Sequence, residues 1–190
     1  LGLWWWHPAA HGPLMALGGL GLLLVVAYTP WITRHPWWCL VAPGLGFGPL
    51  MLLGTEVVLT GQWSWQGLAL SVLPFALVNN LLLLNQFPDV DADRRVGRRT
   101  LPMVIGRGRA VVVMGVQQMV AWLWLGVGAW QGWWPPGVAL AVLALPLSMC
   151  LLQRAWQARD DLGALQPAMA LNVAQCVLVP GLMAVGSGMS

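Results

Sequence analysis

Six apolar stretches, at about residues 13–29, 38–59, 66–84, 110–130, 135–153 and 167–187, occupy most of this 190-residue chain. Each is close to the roughly 20 residues that a helix needs to cross a hydrocarbon core. Backbone groups in hydrocarbon find no water, so such stretches satisfy their hydrogen bonds internally as helices or pair into a closed barrel. The period-two alternation of a barrel strand is missing, which leaves helices. The expected fold class is therefore all-α, a polytopic membrane helical bundle forming a single domain over residues 1–190. A mean hydropathy of +0.72 agrees.

The connections test the span count. Arg34 lies in the first, six arginines in the third, and Arg154 and Arg159 in the fifth, whereas the second (TGQWSWQG) and fourth (WQGWWPPG) carry no charge. One missed or invented helix would scatter the arginines over both sides; as drawn, all nine fall on one face, which the positive-inside rule makes cytoplasmic. The expected setting is a bacterial or archaeal plasma membrane. A formal charge of +3 is accounted for by this local patch, so a membrane surface fits better than nucleic acid.

Tryptophan placement agrees with the spans. Trp31, Trp37, Trp38, Trp63, Trp65, Trp130, Trp133, Trp134 and Trp156 sit at span ends, where amphipathic rings anchor at headgroup level. Trp122 and Trp124 lie within a span and are expected to face lipid. Pro49, Pro74, Pro146 and Pro180 favour kinks, and the small residues at 18–21 and 44–48 permit close helix approach. Cys39, Cys150 and Cys176 show no metal or redox spacing and read as small core residues. His7, His11 and His35 flank spans and read as interfacial. The chain opens on Leu1 without the basic region or cleavage site of a signal peptide, and is expected to be part of a longer protein.

The segment NQFPDVDADRRVGRRTLPMVIGRGR, residues 85–109, holds three of the six acids and six of the nine arginines. Asn85, Asp89 and Asp93 are spaced by four, so on a helix each is about 40° from the last and the three share a face; Asp91 points elsewhere. Pro88 disfavours helical geometry at Phe87, so the span is expected to kink or end there, with residues 89–95 as a short cap over the bundle mouth. Two carboxylates and an amide oxygen make a hard donor set suited to Mg²⁺ that shares positions with water and phosphate oxygens. Arg94, Arg95, Arg98 and Arg99 follow, with guanidinium forks that match phosphate geometry. A solvated loop whose arginines merely enforce topology remains the alternative. A calcium loop is excluded by Arg94 at its sixth position and Thr100 at its twelfth. The extended motif of CDP-alcohol phosphotransferases is excluded because nothing upstream of Asp89 supplies its D-G and A-R pair.

Asn85, Asp89 and Asp93, followed by GRRTLP at 97–102 and by Gly106, resemble the second Asp-rich motif of the UbiA superfamily of intramembrane prenyltransferases. FGPLMLLGT at 47–55 and TG at 60–61 resemble the branch that contains 1,4-dihydroxy-2-naphthoate polyprenyltransferases. The resemblance implies nine helices around a cavity, of which these six would be the fourth to ninth. It also implies two Asp-rich motifs facing each other across the cytoplasmic mouth. The first of them, of type N-D-x-x-D, is not in this sequence, and the family order puts it ahead of residue 1. On the resemblance, Asn85, Asp89 and Asp93 bind Mg²⁺, with Asp89 and Asp93 catalytic, and Asn85, Asn80, Arg94, Arg98 and Arg99 bind the isoprenyl diphosphate. The implied reaction joins an isoprenyl chain to an aromatic small molecule in the bilayer, with 1,4-dihydroxy-2-naphthoate of menaquinone biosynthesis expected ahead of 4-hydroxybenzoate, homogentisate or a tetrapyrrole. The rival is a polytopic subunit or transporter-like protein without catalysis, whose charged loop binds lipid or a partner.

Glu56 is the one acid inside a span, placed near the uncharged face, and is expected to be structural. The resembled branch commonly has an aromatic residue there. Asn79 and Asn80 lie near enough to Asn85 to line the same mouth. Asn172 and Gln175 are expected to hydrogen-bond between helices, and Gln117 and Gln118 carry either reading.

Overall fold

A computed structural model describes residues 10–189 of the chain. His7 and the leading tryptophans lie outside the described residues. Among the described residues, six helical rods are long and apolar enough to span a membrane: α1 (His11–Tyr28), α2 (Pro36–Thr60), α3 (Trp65–Arg95), α4 (Arg107–Trp130), α5 (Pro136–Gln157) and α6 (Leu162–Met189). No strand occurs among the described residues. The rods match the six expected spans, with one instructive extension.

That extension is α3, which turns at Ser71 and then runs unbroken from Val72 to Arg95. Pro88 neither ends it nor detaches residues 89–95 as a separate cap, so the Asp residues ride on the last two turns of the span itself. Packing overrides the pre-proline preference. Phe87 is fully buried, and its carbonyl accepts a bond from Arg107 Nη2 at 3.1 Å. Elsewhere the sequence punctuation acts locally. Pro36 opens α2, Gly61 closes it at a positive φ of 83°, and the Ser64 hydroxyl caps α3 by accepting from the Gly67 N–H at 2.9 Å. Pro49 sits in a π-helical turn over Gly46–Leu50 inside α2.

The connections expected to share a face do so. The Arg99 N–H donates to the Thr33 carbonyl at 2.8 Å, joining the third connection to the first. Gly108 lies against the Arg159 side chain, joining the third to the fifth. At the opposite, uncharged end the carboxylate of Glu56 accepts from the Ser64 N–H at 3.1 Å and from the Ser64 hydroxyl, closing the α2–α3 turn. Glu56 thus ties the α2–α3 turn at the uncharged end, and it also lines a cavity between α2, α3 and α6.

Two apolar clusters stack along the bundle. Leu83, Phe87, Leu101, Met114, Leu151 and Leu165 fill the charged end, and Leu73, Leu77, Leu125, Val138, Val179 and Met183 the other. Between them runs a polar layer. The Asn80 amide donates to the Met114 carbonyl and accepts from Gln117, Asn172 donates to the Asn80 carbonyl, and Gln118 and Gln175 exchange two bonds at 2.8 and 2.9 Å. Gln175 also donates to Ser148. This layer ties α3, α4, α5 and α6, because an amide in hydrocarbon has no solvent to fall back on. Gln118→Leu is expected to leave the Gln175 carboxamide oxygen without its donor, while the NH2 group keeps Ser148, and to lower stability by about 1 to 3 kcal/mol. The double change Gln118→Leu with Gln175→Leu should recover part of that loss, measured as the thermal midpoint in detergent.

Three expectations are corrected. Trp134 is not an interfacial anchor: it is buried, and its ring occupies the space a Cβ on Gly128 would need, 1.9 Å away. Trp122 and Trp124 are half-buried rather than turned to lipid, because their indole N–H groups donate to Ser148 Oγ and to the Ala69 carbonyl. Gly18, Gly19 and Gly21 face open space, since α1 buries none of its window in the described bundle. The other small-residue patch does permit close approach: a Cβ on Gly44 would meet Asn79 Oδ1 at 2.3 Å. That carboxamide oxygen accepts the Gly44 N–H at 2.9 Å.

Candidate active site

The site is built on the arginine-rich end of α3. Asn85 is half-buried, Asp89 exposed and Asp93 buried, one turn apart along one side of an unbroken helix. The difference among them is position along that side: Asp89 is exposed to solvent, whereas Asp93 lies under the turn that follows. That turn closes through the Val96 and Arg98 N–H groups, both donating to the Asp93 carbonyl, and through Gly97 at φ 76°. Arg98 is thereby folded back, and its Nη1 lies 3.1 Å from Asp93 Oδ1. Asp91 is exposed on another side and meets Arg94 at 3.8 Å. Arg95 donates to the Asp91 carbonyl, and Arg99 is exposed, tethered through its backbone alone among the bonds described.

Asn80 does not join this group. Five residues before Asn85, it is about 140° around the helix, and both ends of its amide are engaged in the polar layer. Asn79 is likewise buried, holding Gly44. Two residues not singled out by motif do reach the site. Tyr28, the chain's single tyrosine, lies beside Cys39 and within electrostatic range of Asp93 and Arg98. Arg107 holds the back of the Asp-bearing helix at Phe87. The signal for Tyr28 was its place as the last residue of a span on the arginine-rich face.

A stripe leads from the Asp residues into the bundle. Pro74, Val78, Leu81, Asn85 and Asp89 recur at intervals of four, three, four and four, the helical repeat of one face. Pro74 and Leu77 line an apolar cavity of about 480 Å³ between α2, α3 and α6, which Phe47, Leu59, Pro180 and Met183 also line. From Leu77 to Asp89 is roughly 18 Å along the helix axis. A second cavity, of about 760 Å³, is ringed by Trp65, Phe75, Trp124 and Trp133 at the uncharged end. Neither cavity is lined by the Asp residues themselves.

The profile of the UbiA prenyltransferase family matches residues 1–174. The chain belongs to that family. Over 123 residues it is 28% identical to a 1,4-dihydroxy-2-naphthoate octaprenyltransferase of Bacillus subtilis (strain 168), covering 64% of this chain and 37% of that protein. Over 153 residues it is 28% identical to a protein of the same name from Mycobacterium tuberculosis (strain ATCC 25618 / H37Rv), covering 69% of this chain and 52% of that protein. The chain thus spans about half or less of the length of these relatives. No solved structure gives a significant match.

UbiA prenyltransferases generally use a divalent metal. Among the described residues no three His, Cys, Asp or Glu side chains converge on one point. What α3 offers is two carboxylates and an amide oxygen along one side, hard donors suited in kind to a divalent ion whose other positions are filled by water or phosphate. The donors fit such an ion as one wall of a site.

Proposed function

We propose that this protein transfers a polyisoprenyl group from its diphosphate to an aromatic acceptor in a Mg²⁺-dependent reaction, with 1,4-dihydroxy-2-naphthoate in menaquinone biosynthesis as the acceptor. The family supports the reaction class, and the names of both relatives support the acceptor. The observation that carries the reading is the single stripe of α3 that runs from Asp93, with Arg98 beside it, and Asp89 toward an apolar cavity. Such a stripe suits a ligand with a diphosphate head and a long hydrocarbon tail. The concentration of arginine at that end argues for a cytoplasmic mouth.

The chemistry asks little covalent work of the chain. Asn85, Asp89 and Asp93 would hold Mg²⁺, whose charge supplies Lewis-acid stabilisation of the departing diphosphate. Arg98 and Arg99 add guanidinium donors to the same leaving group, and Arg94 extends the positive field. The bond between the allylic carbon and the diphosphate oxygen breaks with its electron pair going to diphosphate. An electron-rich ring carbon then attacks the allylic carbon, and aromaticity returns when that ring carbon loses its proton or carboxyl group. Apolar walls exclude water that would otherwise capture the cation. No side-chain nucleophile is needed, in keeping with a segment rich in acids and arginines rather than Ser, Cys or His.

The test incubates the intact membrane protein with labelled isoprenyl diphosphates, Mg²⁺ and naphthoate, benzoate, homogentisate and tetrapyrrole acceptors. Labelled prenyl-naphthoate is the expected product. Label transferred to another acceptor moves the protein to a different branch, and no transfer to any acceptor supports the non-enzymatic alternative.

A further inference from the structure

Three ion pairs are formed among the described residues, and one differs from the rest. Arg94 with Asp91 and Arg159 with Asp160 involve acids whose side chains are 80% exposed, so water screens both. Asp93 is only 11% exposed at its side chain, and its partner Arg98 is 43% exposed. A carboxylate so placed needs a counter-charge, since leaving it buried and unpaired is costly. Arg98 supplies one, but through a single nitrogen at 3.1 Å, longer than the 2.7 to 2.9 Å usual for a charge-assisted bond and without the second contact of a guanidinium fork. The contact neutralises Asp93 without locking it. Arg98 is delivered there by the turn at Gly97 while its guanidinium keeps one side toward water.

We infer that Arg98 is an exchangeable counter-ion: it occupies Asp93 while the site is empty, and passes to the diphosphate when a divalent cation takes the carboxylate. This rests on the reading of Asp93 as a metal donor. The physical reason is charge. A divalent ion at Asp93 and a guanidinium about 3 Å from the same oxygen repel each other, so the cation loosens Arg98 from that oxygen. The diphosphate brings several negative charges to the spot and gives the displaced guanidinium a better, forked partner. Metal and diphosphate therefore favour each other's binding, and metal alone competes with Arg98. Arg98 is in this sense a specificity device, keeping free divalent ions off the site until the substrate that needs them arrives.

The experiment measures equilibrium binding of Mn²⁺ alone, followed by electron paramagnetic resonance, to the intact protein in detergent. Arg98→Gln is expected to bind Mn²⁺ roughly tenfold more tightly than the parent. Arg98→Lys, which keeps the charge, should stay near the parent. Arg95→Gln removes a charge within a turn of Asp93 without touching its carboxylate, and should change affinity by less than about twofold. With isoprenyl diphosphate the same Arg98→Gln protein should show a raised KM. Equal or weaker Mn²⁺ binding by a folded Arg98→Gln protein overturns the exchange, as does an equal gain in Arg95→Gln. Loss of Mn²⁺ affinity on Asp93→Asn with no gain on Arg98→Gln removes the exchange alone. No effect of Asp93→Asn on Mn²⁺ affinity removes the metal site beneath it.

Discussion

Asp93→Asn in the intact protein is expected to lower prenyl transfer by about a thousandfold or more, with the protein still folded in the membrane. The magnitude follows from where the charge sits. Asp93 is the more buried of the two carboxylates on the shared face, so its interaction with a cation is less screened than that of an exposed acid. Asparagine keeps the shape and an acceptor oxygen for Arg98, which removes unfolding as the reason for the loss. Asp89→Asn is expected to match it, because the two donors act on one ion, whereas Asp91→Asn should stay within about threefold of the parent. Asp91 lies on another side of the helix with Arg94, where solvent takes up the difference. Initial rates at saturating and limiting Mg²⁺ distinguish the cases. If both Asp89→Asn and Asp93→Asn turn over at the parental rate, α3 holds no metal that matters to the reaction.

The number of spans, their order and the gathering of the arginines were legible because each follows from a local rule: span length, connection charge and helical repeat. The shared face of Asn85, Asp89 and Asp93 was legible for the same reason. What escaped is what neighbours decide. The helical repeat already sets Asn80 about 140° away from Asn85, but only α4 shows what takes it up: the Met114 carbonyl and Gln117 hold both ends of its amide, while Asn85 stays half-buried on the face it shares with the two carboxylates. Pro88 reads as a break, and only the buried Phe87 and the guanidinium of Arg107 explain why the helix runs through it. Trp134 reads as an anchor at a span end, but it is drawn inward by the room that Gly128 leaves on α4. Tyr28 joins the site because the end of α1 meets Cys39 on α2, a contact between helices that no periodicity encodes.

The largest effect on stability is expected from Gly137, at the start of α5. A Cβ built there would lie 1.9 Å from the Gly186 carbonyl oxygen, and a Cβ on Gly186 would lie 1.8 Å from the carbonyl oxygen of Gly137. Both obstacles are backbone, so no rotamer change relieves them, and α5 and α6 would have to move apart. That separation would reach Val138 and Met183, which pack in the same apolar cluster, and the lining they give to the cavity beside α3. Gly137→Val is therefore expected to cost at least about 3 kcal/mol, the upper end for overpacking, and to lower the amount of folded protein recovered in detergent. Gly188→Val is the matched control: it lies two residues from Gly186 in the same helix, and a Cβ there meets nothing within 4 Å. Both changes put the same side chain on a glycine near an end of its helix, so the larger part of the gap between their thermal midpoints reports the backbone contact. Equal midpoints for the two would mean that α5 and α6 do not meet through Gly137 and Gly186. With them would go the account of how the far end of the bundle holds its shape around the apolar cavity.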